Sequence, residues 1–231
     1  MSIAANIAGV RERIEAAARR SARPAGGVAL MCVTKAQPAE AIREAYQAGA
    51  RLFGENRVQE FAGKRPHLDG LAGTEWRLIG HLQSNKAARA AQLFDGIDSL
   101  DSYGTAVKLN QACRLAGKVL PVLIEINAAG EQSKSGLGET SGELESLLQA
   151  IPRLDHLAFR GLMTIPPYAA EPEPARVFFR ALRGLRDRIA ARGIEGCTWE
   201  TLSMGMSHDF EVAVEEGSTC VRVGAAIFGE R

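Results

Sequence analysis

Cysteine is scarce: Cys32, Cys113, Cys197 and Cys220 are the only four in a chain of 231 residues. They lie far apart and form no Cys-x-x-Cys pair, which argues against a dithiol motif or a disulfide framework and fits buried, reduced thiols in a cytoplasmic protein. Histidine is as sparse, and His67, His156 and His208 share no metal-ligand spacing with one another or with a cysteine. Excess charge is missing: 28 basic against 27 acidic side chains leave +1, so the chain as a whole is not a polyanion binder and any basic site must be local. No uncharged run approaches the ~18 residues of a membrane span, and the first residues carry no apolar signal core. No Pro/Ser-rich linker interrupts the chain, so residues 1–231 are expected to form one domain, with 1–27 an N-terminal helix and linker and 28–231 its body. Lysine is the last shortage. Only six of the 28 basic residues are lysine, so arginine supplies routine surface charge and a lysine inside an apolar stretch stands out.

What is present is an alternation. Ile3, Ile7, Val10, Ile14 and Ala17 recur at helical spacing and predict a helix over 2–22, ended by Pro24 and Gly26-Gly27. Short apolar runs near 28–34, 51–54, 76–79, 95–99, 120–127, 157–164, 201–204 and 220–223 read as strands, with helical segments between most of them. "VLPVLIEIN" is nearly all apolar, as a parallel strand covered on both faces should be. Eight β/α units predict an α/β fold: a single (β/α)8 TIM-type barrel with an N-terminal helix. An open doubly wound sheet is the alternative.

Local signals place the helices. Pro38 fits a first helical turn before Ile42, Ala45 and Tyr46, and Gly49 closes that helix. Thr140 with Glu143 reads as a capping box. Val177, Phe178, Ala181, Leu182, Leu185 and Ile189 form an apolar stripe. Ser207 is expected to cap a helix that Asp209 and Glu211 favour electrostatically. The arginine-rich segment 180–192 is a solvated helix face, not a nucleic-acid surface.

In a barrel of this kind functional groups gather where strands end. Lys35 follows the first strand in "LMCVTKAQP". Glu55 and Asn56 follow the second in "LFGENRVQE", and His81 the third in "WRLIGHLQSNK". Ser203 and Met204 end the seventh. Arg222 lies inside the eighth, before "GAAIFG". The loops after the last two strands are a phosphate cradle in many such barrels: Gly205 and Gly224 permit close approach, the N–H groups of Gly224 and Ala225 face outward, and Ser203 adds a hydroxyl. A tight structural turn is the plain alternative. Arg222 keeps its charge and needs an acceptor or a π-face, for which a structural carboxylate would serve. Together, a lysine, a phosphate cradle and an arginine match the aldehyde, phosphate and ring nitrogen of pyridoxal 5'-phosphate (PLP). An apolar setting and a nearby cation would favour the neutral amine of Lys35. Arginine opposite the ring nitrogen would make the ring a weak electron sink.

"VTKAQP", "LFGENRVQE", "WRLIGHLQSNK", "EQSKSGL", "RGLMTI", "LSMGMSHDFEVAVEEGST" and "VRVGAAIFGER" closely resemble the PLP homeostasis protein family, from about residue 28 to the C-terminus. That family is similar to the N-terminal barrel of alanine racemase without its second domain, and generally has no demonstrated catalysis. The resemblance implies an intracellular PLP-binding protein with PLP-dependent apoenzymes as candidate recipients; a cytoplasmic location follows the cysteine pattern, and a monomer is expected because no apolar tail or extra domain is left over. It implies that Lys35 holds PLP as an aldimine, that Arg222 faces the pyridine nitrogen, and that Ser203, Gly224 and Ala225 surround the phosphate. Asn56, His81 and Met204 would line the ring. Two positions depart from the family: Gln37 stands where a second lysine is common, and Ala225 where threonine is. Lys134, in "SKSG", is a secondary candidate for the aldehyde. An amino-acid racemase, with Tyr168 or His81 as opposing base, and a phosphate-ligand barrel without a covalent link are the other two readings.

Overall fold

The computed structural model describes residues 2–24, 26–131 and 135–229. Its strands are β1 (Ala29–Val33), β2 (Leu52–Glu55), β3 (Glu75–Leu78), β4 (Gly96–Leu100), β5 (Leu120–Glu125), β6 (Leu157–Met163), β7 (Cys197–Ser203) and β8 (Cys220–Val223). They close into a parallel barrel in chain order, and Met31 of β1 stands opposite Arg222 of β8. That closure is the expected (β/α)8 architecture and excludes the open sheet. The helices are α1 (Ile3–Arg20), α2 (Ala39–Gln47), α3 (Val58–Lys64), α4 (Ala87–Leu93), α5 (Tyr103–Leu115), α6 (Gly142–Ala150), α7 (Arg176–Ala190), α8 (Phe210–Glu215) and α9 (Ala225–Phe228).

Strand parity distributes the side chains. Cys32, Phe53, Trp76, Leu78, Ile97, Val122, Leu202 and Val221 point outward into one large apolar layer between sheet and helices. Phe53 stacks on Trp76 at 4.8 Å between ring centroids, and Phe61 of α3 tilts against the same indole. Each such side chain stabilises the fold by about 1.5–3 kcal/mol on burial. The barrel interior is different. Among the described residues its buried apolar cluster is Met31, Val33, Ile79 and Cys220, with Leu52 packed against it. Arg77 and Asp98 form an ion pair at 3.1 Å beside it. Gly54 is needed there, because a Cβ would come within 2.7 Å of the Met31 sulfur. Burial pushes the Cys220 thiol up to about 12, so this cysteine is an inert packing residue.

Several local expectations shift. β7 begins at Cys197, ahead of the expected 201, because its first half, Cys197 to Glu200, is mixed polar and apolar, with only Trp199 buried, and makes no apolar run. Pro38 is the residue before α2, not inside it. Ser141, not Thr140, caps α6 by accepting from the Leu144 N–H; Glu143 accepts instead from the Tyr103 N–H at 3.3 Å. The buried stripe of α7 is Phe179, Leu182, Leu185 and Ile189, with Val177 62% exposed.

α1 buries Ile7, Val10, Ile14 and Ala17 and lies against α2, α8 and α9. Arg13 pairs with Glu211 at 2.7 Å and Arg20 with Glu215 at 2.8 Å. From the other side, Arg176 reaches Glu215 and Glu216, and Arg180 reaches Glu216 at 3.0 Å. Burial alone would raise the Glu216 carboxyl, but bonds from Arg180 and Arg176 hold it below the usual range. Bonds from Arg176 do the same for Glu215. A carboxylate depressed in this way stabilises the fold above its unfolded pKa of ~4.3, and that contribution is lost as pH falls through the folded value. Glu216→Gln is therefore expected to cost about 1–3 kcal/mol at neutral pH. It should also flatten the loss of stability between about pH 5 and 3, measured by urea unfolding.

Candidate functional site

A cavity of about 510 Å³ opens at the C-terminal ends of the strands. Its polar wall is Lys35, Gln37, Asn56, Ser207, His208, Arg222, Gly224 and Ala225; Val33, Ile79, Ile165 and Met206 supply the apolar wall. A smaller cavity of about 330 Å³ lies beside α1 at the opposite end. Its cations are already engaged: Arg11 donates to the Gly49 carbonyl and Arg51 to those of Tyr46 and Ala50.

Lys35 reaches the larger cavity by parity. Met31 and Val33 face the barrel interior, and Lys35 is the next residue in that series. The Thr34 N–H continues the ladder to the Gly54 carbonyl, and the Gln37 N–H bonds back to the Thr34 carbonyl at 3.0 Å, turning the chain around Lys35 and Ala36. The lysine side chain is exposed at the mouth, so the buried apolar setting expected for it is absent.

Arg222 follows the same logic on β8, between Cys220 and Gly224. It is 3% exposed. Its Nη1 donates to Ser203 Oγ at 2.9 Å and its Nη2 to the Thr164 carbonyl at 2.8 Å. These partners are a hydroxyl and a carbonyl, not the structural carboxylate that would make it a plain ion pair. Burial lowers its pKa, with Asp98, Glu125 and Asp209 acting in the opposite direction, yet a guanidinium stays charged.

Three residues that the sequence places at the site do not line this cavity: Ser203, Met204 and His81. Ser203 is fully buried, and its hydroxyl is committed to Arg222 rather than to the cradle. The hydroxyl at the cradle is Ser207, whose Oγ accepts from the Gly224 and Ala226 N–H groups at 3.2 and 3.3 Å. It does not cap α8, which starts behind Asp209. Met204 is fully buried in the outer apolar layer, and Met206 lines the cavity instead. Between them Gly205 reverses the chain at φ 95°, and a Cβ there would stand 2.5 Å from that of Ala213. His81 does not line this cavity. It lies on a neighbouring polar groove that shares Asn56, with Nδ1 at 2.5 Å from Asp101 Oδ2. Asn56 is held by close packing, since Gly80 abuts its backbone and amide with no room for a side chain. Lys35, Asn56, Arg222, Gly224 and Ala225 do converge. Lys134 lies outside the described residues, and Tyr168 is 86% exposed with its ring against His208. Among the described residues no cluster suited to a metal ion occurs.

Glu125, at the end of β5, went unremarked in the sequence. Its signal was an acid inside the apolar run "VLIEIN". Burial and then the Asp101 charge push it up to about 7, while Arg222 and His81 act the other way.

The family model of the alanine racemase N-terminal domain matches residues 6–231, nearly the whole of α1 included, so the chain is of that class. Within that class, the chain belongs to the pyridoxal phosphate homeostasis protein family. The Escherichia coli (strain K12) pyridoxal phosphate homeostasis protein is 43% identical over 235 residues, covering 99% of this chain and 97% of that protein. PipY of Synechococcus elongatus PCC7942, solved with PLP bound, superposes with a TM-score of 0.82 at 35% identity over 99% of this chain and 100% of that one. An alanine racemase of Clostridium difficile 630 superposes with a TM-score of 0.74 at 15% identity, covering all of this chain and 57% of the racemase, a likeness of fold alone.

A carboxyl raised on folding favours the folded state below its unfolded pKa of ~4.3, and that advantage fades as pH rises through the folded value. Glu125→Gln removes the titration. The variant should gain about 1–3 kcal/mol on the wild type between about pH 5 and 8, read from urea midpoints at each pH. A constant difference would place the Glu125 titration outside that window.

Proposed function

We propose that this chain binds PLP, holds it on Lys35, and serves PLP homeostasis as a carrier without a dedicated reaction of its own. The observation that carries this reading is Arg222: a buried guanidinium with no carboxylate in contact among the described residues, fixed by Ser203 and Thr164, on the wall of a cavity that also bears a primary amine. The cavity volume falls within the ~300–1,000 Å³ usual for cofactor sites. When bound, PLP supplies an aldehyde that condenses with an amine, releasing water, and a pyridine ring that is a strong electron sink only when its nitrogen is protonated.

The chain's own groups divide the work. The Ala225 N–H and the Ser207 hydroxyl proton face the phosphate, with Ser207 held in place by the Gly224 and Ala226 N–H groups that donate to its Oγ. Lys35 takes the aldehyde, and Asn56 borders the ring. Arg222, a donor that cannot accept a proton, meets the ring nitrogen and keeps it unprotonated, which suits retention rather than carbanion chemistry. Racemisation would need a second base on the cavity. His81 belongs to the neighbouring groove and Tyr168 is 86% exposed, which leaves His208 as the imidazole on the wall, its ring against that of Tyr168. The relatives named for PLP homeostasis support the same reading. A cytoplasmic monomer that supplies PLP-dependent apoenzymes is the corresponding cellular role; no helix is long and apolar enough to cross a membrane among the described residues.

Purified protein mixed with PLP should develop a visible absorption band and a raised thermal midpoint. At ligand 100-fold above Kd the stabilisation is about 2.7 kcal/mol. Lys35→Ala should lose the band and most of the thermal shift. A wild-type protein that stays colourless and gains no stability with PLP would overturn the proposal, and would favour a phosphate-ligand barrel.

A further inference from the structure

We propose that Glu60 of α3 is the positioning residue that aims Lys35 into the cavity, holding the turn after β1 in a bend that its own residues resist. This deepens the PLP reading and rests on it.

The turn carries an unusual residue. Ala36 has φ 56°, in the left-handed region that favours glycine. A glycine there would adopt the bend freely but leave the backbone of Lys35 with more conformations. Alanine needs something to hold it. The Ala36 N–H donates to Glu60 Oε1 at 2.5 Å, a charge-assisted bond from another element of the fold. On the other side of Lys35, Thr34 is held twice: its carbonyl accepts from Lys64 Nζ at 2.8 Å, and its hydroxyl donates to Glu55 Oε1 at 2.7 Å.

One buried ion cluster joins the two anchors. Lys64 pairs with Glu55 at 2.9 Å and with Glu60 at 2.7 Å; its side chain is 14% exposed and that of Glu55 fully buried. Burial alone would raise the Glu60 carboxyl, but bonds from Lys64 and the Ala36 N–H keep it low, so it is charged at neutral pH. A helix pair between Glu60 and Lys64 would be complete without Ala36. That Glu60 also reaches across to the turn is what ties α3 to the lysine. Glu60 does not line the cavity, so its effect on the cofactor passes through Lys35.

The discriminating ligand is pyridoxine 5'-phosphate, which keeps the ring and phosphate of PLP but has an alcohol for the aldehyde. It tests the cavity without the amine. Glu60→Ala is usable because its side chain is 29% exposed and Lys64 keeps Glu55 as an ion-pair partner at 2.9 Å. By calorimetry, Glu60→Ala should weaken PLP binding roughly tenfold, as expected for loss of one charge-assisted bond. Pyridoxine 5'-phosphate binding should change by less than about twofold. Glu60→Gln, which retains an oxygen for the Ala36 N–H, should recover most of the PLP affinity, and the thermal midpoint of all three ligand-free proteins should be close. Equal losses for both ligands would mean that the cavity itself is deformed and would overturn the proposal, as would unchanged PLP affinity in Glu60→Ala. If the wild type binds PLP no more tightly than pyridoxine 5'-phosphate, the lysine reading fails, and this proposal falls with it.

Discussion

A permanent positive charge inside the barrel organises this molecule. Arg222 stands on the inward parity of β8 and cannot neutralise itself by losing a proton. Leaving such a group uncompensated in the interior costs several kcal/mol. The fold answers with Ser203 Oγ and the Thr164 carbonyl, and with acidic groups at Asp98, Glu125 and Asp209 that act on it through the field. The consequence reaches beyond one residue. A barrel interior that must host Arg222, Arg77 and Asp98 cannot be a dry hydrocarbon core, so its apolar cluster is small. The stability comes from the outer layer, where Phe53, Trp76, Phe61 and Phe94 pack between strands and helices. The charged interior and the apolar jacket are two sides of one alternation.

The same alternation delivers the site. Met31, Val33 and Lys35 lie along one side of β1 and its extension; Cys220, Arg222 and Gly224 lie along β8 beside it, because the two strands pair across the closure. Amine and guanidinium thereby line one cavity though 187 positions apart in the chain. Slipping either strand by one residue would exchange Lys35 or Arg222 for an outward-facing neighbour, so the register that closes the barrel also builds the cavity.

Much of this is legible in the sequence. Eight apolar runs separated by helical periods point to the barrel, and asking which groups follow or interrupt strands brings out Lys35, Arg222, Gly224 and Ala225, while Asn56 and Met204 enter as site residues through the family resemblance. The structure gathers Lys35, Asn56, Arg222, Gly224 and Ala225 on one cavity. Met204 and Ser203 end β7, but parity sends one outward and buries the other under Arg222. Ser207 and Met206 lie past a left-handed glycine, where the strand-end rule stops and only the path of the loop decides. His81 belongs to the next groove because it extends beyond β3 on the far side of Asn56. Glu125 was hidden by its surroundings, since an acid in an apolar run reads as a strand end until its burial is known. The α3 anchors of the turn, Glu60 and Lys64, were invisible for another reason: their partner is a backbone N–H and a carbonyl 24 and 30 residues away.

The central claim is that one amine, and not merely some amine, meets the cofactor. Borohydride reduction of the PLP-loaded protein followed by peptide mapping reads it directly, because reduction makes the link permanent. The account predicts a single pyridoxyl mass increment on the peptide containing Lys35. A label confined to the peptide containing Lys134, or absent altogether from a protein that binds PLP, would contradict it.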